Sequence, residues 1–178
     1  MNKYLKPILE ASYQKSKDAK NTLEKQGMTL DRSLSNKEAK VFLDSEGKPN
    51  IAVRGSKSLR DWFISDPLLA LGLGKYDPRQ KRTDALIAKT RDKYKQEPNL
   101  YGHSLAGGLI SNAKTGGKII TYNKAVGLGD IGKSINPLQT DVRTKNDIVS
   151  LLSITQKGNR ETVKGSDNPL IAHGLSQL

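Results

Sequence analysis

The 178-residue chain has no cysteine. Disulfides, thiolate nucleophiles and zinc–thiolate centres are therefore excluded, and the absence fits a reducing compartment. Histidine is nearly absent too. His103 and His173 are the only two, which is too few for a histidine-rich metal site, so neither a metal nor a cofactor is expected. Any mechanism that needs an imidazole base must use one of the two. Aromatic residues make up 5% of the chain, and no basic run carries interleaved aromatics that would stack on bases. Nucleic acid is therefore a weak expectation, resting on charge alone. No apolar run is long enough to span a bilayer, and Met1 to Pro7 lacks the apolar core of a secretory signal. A cytoplasmic or virion-associated location is expected ahead of classical secretion.

Acidic residues are the last shortage: 18 Asp and Glu against 30 Lys and Arg, a formal net charge of +12. Such an excess attracts polyanions, an anionic membrane surface among them, or it is simply a solvated basic face. The oligomeric state is not legible. With 35% hydrophobic and 27% charged residues, the composition is that of a globular protein rather than a disordered one. The length fits one domain with one real core.

Apolar periodicity predicts a helix from about Pro7 to Lys25, with Leu5, Ile8, Leu9, Ser12, Tyr13, Ala19 and Leu23 in a partial stripe. Met28 to Ser35 reads as irregular. Residues 39–44 and 50–54 read as two strands joined by a Gly47/Pro49 turn, a hairpin. Ser58 is placed to cap a helix starting at Leu59. Pro67-Leu68-Leu69-Ala70-Leu71-Gly72-Leu73-Gly74 is apolar but broken by glycine, either a buried connector or a greasy cover over a site. Arg79 to Gln96 reads as a charged helix with Ala85, Leu86, Ala88 and Tyr94 inward. Strands are expected at 100–102, 118–123 and 139–143, and a further strand region within 153–163. A helix is expected at 105–113, and strand–helix–strand implies a parallel crossover. The fold class is therefore α/β: a compact, mostly parallel sheet with an N-terminal hairpin, flanked by helices.

The stretch that organises the chain is Tyr101-Gly102-His103-Ser104-Leu105-Ala106-Gly107-Gly108. A serine among small residues, after a short strand and before a helix, reads as a nucleophile elbow, in which a tight turn lifts the serine clear of the sheet. Gly102 and Ala106 flank it where bulk would clash. A serine hydroxyl needs a base, and the base needs a third group to hold it. His103 points away from the nucleophile's face and reads as a buried structural residue, which leaves His173 as the base. Asp130, Asp141, Asp147, Glu161 and Asp167 lie between Ser104 and His173. Asp147, just past a strand's carboxyl end, is chosen because open parallel sheets place their chemistry there. The backbone N–H of Leu105 and the N–H or hydroxyl of Ser56 are the candidate oxyanion donors.

These landmarks run in one order. Val53-Arg54-Gly55-Ser56 with Asp61-Trp62, the Ser104 elbow, Thr121-Tyr122-Asn123-Lys124-Ala125, Asn146-Asp147-Ile148-Val149 and Ala172-His173-Gly174-Leu175 together resemble the class 3, fungal-type lipases of the α/β-hydrolase superfamily. The resemblance covers residues from about 41 to 175. Ala106 stands where the family's elbow has a second glycine. A single domain over 1–178 is expected from the length, with residues 1–38 a helical N-terminal extension that has no clear counterpart in the family and 39–178 the lipase-like core. The resemblance implies a lid at Pro67, Leu68, Leu69, Leu71 and Leu73. The implied activity is serine hydrolysis of carboxylic esters, small or lipid, phospholipid acyl esters included, through an acyl-enzyme made by Ser104, His173 and Asp147. The alternative is a catalytically silent scaffold of the same fold, structural or virion-associated, that binds anionic partners.

Overall fold

The computed structural model describes residues 3–56 and 78–178, the side chain of Leu170 aside. The Ser58 cap, the Asp61-Trp62 helix and the candidate lid lie outside the described residues. The elements are α1 (Leu5–Tyr13), α2 (Ser16–Glu24), β1 (Thr29–Asp31), β2 (Ala39–Leu43), β3 (Pro49–Val53), α3 (Arg79–Tyr94), β4 (Asn99–His103), α4 (Leu105–Ser111), β5 (Ile119–Tyr122), β6 (Gln139–Thr144), β7 (Asn159–Val163) and α5 (Pro169–Ala172). Short 3-10 turns occur at Leu128–Asp130, Leu151–Thr155 and Leu175–Gln177.

The seven strands form one sheet in sequence order. β1, β2 and β3 are antiparallel, and β3 through β7 are parallel. This is the expected mostly parallel α/β sheet with an N-terminal hairpin. The hairpin closes through Asp44, whose N–H donates to the Lys48 carbonyl at 3.1 Å while its carbonyl accepts from Gly47 at 3.0 Å. Gly47 sits at φ 77°, a left-handed conformation that favours glycine.

Strand side chains alternate between two faces, and each face has its own apolar cluster. On one, Phe42, Ala52, Tyr101, Tyr122 and Val142 pack against Leu5, Ile8, Leu9, Ala19 and Leu23 of α1 and α2. On the other, Val41, Ile51, Val53, Leu100 and Ile119 pack against Leu86 and Ile87 of α3 and Ala106 and Ile110 of α4. Burying a side chain such as Leu9 or Ile51 contributes roughly 1.5–3 kcal/mol, and a sheet covered on both faces reads as short continuous apolar runs.

Three expectations need correction. The N-terminal helix is two helices, broken where Gln14 and Lys15 take extended conformations, with ψ 158° and 156°. Ser12 Oγ donates back to the Leu9 carbonyl at 2.7 Å, and Thr22 Oγ1 donates to Gln14 Oε1 at 2.8 Å across the fold-back. An unbroken helix of that length would run roughly 28 Å, whereas the hairpin brings Leu9 and Leu23 into one cluster. Thr29–Asp31, read as irregular, forms β1, too short for its alternation to show. In α3 the inward residues are Thr83, Leu86, Ile87 and Thr90, while Ala85 and Ala88 are exposed. The helix is turned so that Ile87, the larger apolar group, is the one removed from water. Among the described residues no helix is long and apolar enough to cross a membrane.

Candidate active site

Ser104 stands at the turn between β4 and α4 with φ 59° and ψ −125°. A non-glycine residue there is strained by about 1–3 kcal/mol and persists only where its surroundings hold it. The surroundings do so through the backbone. Its N–H donates to the Tyr122 carbonyl at 3.0 Å, and its carbonyl accepts from Ala125 at 3.1 Å and from Gly108 at 3.4 Å. Close packing explains the small neighbours. A Cβ on Gly102 would lie 2.8 Å from the Ala106 backbone, and one on Gly108 would lie 2.8 Å from the Ala125 carbonyl. Ser104 Oγ is buried and has no hydrogen-bond partner among the described residues, His173 included.

The parallel register pairs Val53 with Gly102, so the chain leaving β3 runs beside the elbow. Gly55 abuts it so closely that an added Cβ would lie 2.7 Å from the His103 carbonyl and 3.4 Å from Ser104 Cβ. Ser56 follows directly, partly buried, and Leu105 opens α4. Ser56 thus follows a residue packed close to the elbow, and Leu105 is bonded to Ser104.

His173 and Asp147 meet. His173 Nδ1 lies 3.0 Å from Asp147 Oδ1, with the Asp147 side chain fully buried and that of His173 17% exposed. Asp147 also accepts from the backbone N–H groups of Val149 at 3.1 Å and Ser150 at 2.9 Å. Burial alone would raise its pKa, but the hydrogen bond and charge of His173, with the Ser150 and Val149 donors, outweigh it and hold the carboxyl below the ordinary value. Asp147 is therefore an ionised acceptor that fixes Nδ1 as the protonated nitrogen and leaves Nε2 as the basic one.

The other acids are placed elsewhere. Asp141 forms a buried ion pair with Lys124 at 2.6 Å and accepts from Thr121 Oγ1 and Gln139 Nε2. Asp130 pairs with Lys133 at 2.9 Å, Asp167 accepts from Asn146 at 3.2 Å, and Glu161 is exposed on β7. Among the described residues no group of three or more His, Asp or Glu side chains is placed to hold a metal ion.

His103 is buried and shares a sheet face with Tyr101, opposite the face that carries α4. Its Nδ1 lies 2.8 Å from Tyr13 Oη, and its Nε2 lies 2.9 Å from the His173 carbonyl. The two imidazole centroids are 4.8 Å apart. The residue before Ser104 thus touches the backbone of His173. Two contributors escaped the sequence reading. Tyr13 looked like one more member of an apolar stripe. Asn123, at φ 44°, donates to the carbonyls of Ala172 at 2.9 Å and His173 at 3.2 Å and accepts from the Thr144 N–H at 2.7 Å. No spacing signal marks either one, although the Thr121–Ala125 motif contains Asn123.

No protein-family model matches the sequence, and no curated protein matches it. Solved structures do. A mutant form of MDLA from Penicillium cyclopium is similar with a TM-score of 0.59 and 16% identity, over 92% of this chain and 78% of that one. The native Rhizomucor miehei lipase–propeptide complex is similar with a TM-score of 0.54 and 14% identity, over 93% of this chain and 68% of that one. A further structure, described as a fungal lipase, has a TM-score of 0.50 and 14% identity, over 98% of this chain and 82% of that one. At such identities the likeness speaks for the backbone architecture and leaves activity to the site. The chain has the α/β-hydrolase fold of the fungal-type lipases.

Proposed function

We propose that the protein is a serine hydrolase of carboxylic esters. The observation that carries the reading is the His173–Asp147 hydrogen bond of 3.0 Å, held against the strained Ser104 elbow through His103. In this mechanism Ser104 Oγ attacks the ester carbonyl while His173 Nε2 takes its proton. Asp147 orients the imidazole and stabilises the imidazolium. The oxyanion of the tetrahedral intermediate is met by the Leu105 N–H and by Ser56, each such donor worth about 3 kcal/mol. Collapse expels the alcohol, which takes the proton from His173, and leaves an acyl-Ser104 that water then hydrolyses by the same route. No metal or cofactor enters these steps. Lipid esters are the favoured substrate class, and the +12 charge favours anionic lipid surfaces.

One observation favours the alternative, a silent scaffold: Ser104 Oγ makes no hydrogen bond to His173. Hydrogen bonds of this kind are often loose without substrate and tighten only in the complex. A fluorophosphonate probe decides between the two. Labelling of the folded protein that disappears in Ser104→Ala supports the hydrolase, and folded protein that is never labelled supports the scaffold.

A further inference from the structure

We propose that Tyr13 and His103 are positioning residues for this site: through one chain of hydrogen bonds they tie the end of β3, the elbow and the backbone of His173 into a single rigid unit. The role rests on the hydrolase reading. The chain begins at the Gly55 N–H, which donates to Tyr13 Oη at 3.1 Å. The hydroxyl proton of Tyr13 is then available for His103 Nδ1, 2.8 Å away. Nδ1 is thereby an acceptor, so Nε2 carries the proton and donates to the His173 carbonyl at 2.9 Å. Of the two neutral tautomers of His103, only Nε2–H satisfies all three contacts.

Three segments of the candidate machinery meet along this chain. Gly55 precedes the oxyanion candidate Ser56, His103 precedes Ser104, and the last acceptor belongs to His173 itself. The spacing is tight: a Cβ on Gly55 would come 2.5 Å from Tyr13 Oη, so no side chain separates α1 from the end of β3. The His173 carbonyl also accepts from Asn123 Nδ2 at 3.2 Å, so it is held both from β4 and from the residue after β5. A displacement of about 1 Å in such a group can cost a hundredfold in rate.

The tautomer matters electrostatically as well. Burial, and then the charge of His173, push the His103 pKa down to about 3, against smaller opposing effects of its bond to the His173 carbonyl and of Asp147. The groups facing its ring are Tyr13, Tyr122 and His173, and burial raises the pKa of both phenols. A neutral imidazole 4.8 Å from His173 does not oppose the positive charge that His173 takes on when it accepts the Ser104 proton. Acting through the backbone of His173, Tyr13 and His103 should influence kcat and not KM.

The test uses the full chain and three variants: Tyr13→Phe, His103→Gln and His103→Phe. Imidazole nitrogen NMR reads the tautomer directly, the two histidines being told apart with His173→Gln. Fluorophosphonate labelling and p-nitrophenyl butyrate hydrolysis read the chemistry. We expect His103 as a neutral Nε2–H imidazole in the wild type, with its Nδ1 resonance shifted in Tyr13→Phe as the hydroxyl donor is lost. Tyr13→Phe should lower kcat and the labelling rate at least tenfold, with KM within twofold. His103→Gln, which keeps a donor for the His173 carbonyl, should retain several times the activity of His103→Phe. Labelling of Tyr13→Phe at the wild-type rate, or Nδ1–H on His103 in the wild type, overturns the proposal. If Tyr13→Phe does not fold, equal rates for the two His103 variants overturn it instead. A labelled wild type with an indifferent Tyr13→Phe removes only the positioning role. A wild type that is never labelled removes the hydrolase reading and the positioning role with it.

Discussion

His173 Nδ1 and Asp147 Oδ1 stand 3.0 Å apart although the two residues are 26 positions apart in the chain. The carboxylate is held at both oxygens by backbone N–H groups, Val149 on the same Oδ1 and Ser150 on Oδ2, so it arrives at the imidazole already oriented. A buried, ionised, three-donor acceptor on a histidine of intermediate exposure suits a general base better than a surface ion pair. Such an acceptor forces one tautomer, and the tautomer decides which nitrogen is basic.

Asp147→Asn tests that relationship. Val149 donates to Oδ1 and Ser150 to Oδ2, so the single amide oxygen keeps only one of the two and the fold should survive at reduced stability, while Nδ1 loses an acceptor that demands its proton. Under the hydrolase reading kcat for a p-nitrophenyl ester should fall by about 10³–10⁴, with the far-UV circular dichroism unchanged. Undiminished kcat would remove Asp147 from the mechanism.

The pH dependence of stability should carry the signature of His103. Its pKa is 6.5 in the unfolded chain and about 3 in the folded one. Between those values only the unfolded chain binds the proton. Stability is therefore complete above pH 6.5 and is lost as pH falls toward 3, at up to about 1.4 kcal/mol per pH unit. Asp147, whose pKa is also lowered on folding, acts in the same direction under more acidic conditions. His103→Gln removes only the first contribution. Its urea midpoints at pH 7 and pH 4.5 should lie closer together than those of the wild type, and identical pH dependence in the two proteins would contradict the assignment.

Gly102→Ala should be costly for steric reasons alone. The new methyl would meet the Ala106 carbonyl group at 2.8 Å and the Gly107 nitrogen at 2.9 Å, and backbone atoms cannot move aside as a side chain can. We expect a loss of about 1–3 kcal/mol, read from the denaturation midpoint. Ala106→Gly should cost only about 0.5–1 kcal/mol, the ordinary helix preference for alanine, since the elbow tolerates either small residue. A Gly102→Ala protein as stable as the wild type would mean that β4 and α4 cross less closely than described.

The Lys124–Asp141 pair should be structural and not catalytic. Both side chains are almost fully buried, and Gln139 bridges Asp141 to Ser111 of α4 at 2.6 and 3.0 Å. Lys124→Met would leave Asp141 buried without its cation, which typically costs about 3–5 kcal/mol. At a temperature where the variant remains folded, its labelling rate per folded molecule should match the wild type within a few-fold. A loss of labelling with no loss of stability would assign Lys124 to the reactive site instead.

Much of this architecture was legible in the chain. Val41-Phe42 and Ile51-Ala52-Val53 read as strands because apolar runs bounded by Gly47 and Pro49 have few other uses. Gly102, Ala106 and Gly108 read as an elbow because only small residues let β4 and α4 cross. The N-terminal hairpin and the parallel order followed from those local features, since each depends on residues a few positions apart. Local periodicity was less informative where tertiary packing competed with it. The α1–α2 break has no glycine or proline to announce it and exists because folding back places Leu9 and Leu23 on the same sheet face.

By itself, then, the sequence determined the class of fold, the position of the elbow and the shortage of histidine that made His173 the base to consider. Tertiary structure decided which of five acids His173 meets, and it made Tyr13, 90 residues from His103, a neighbour of the elbow. The physical reason is that a hydrogen bond between distant side chains depends on strand register and on the path of intervening loops. Those are set by burial of the central strands on both faces, and no window of sequence contains them.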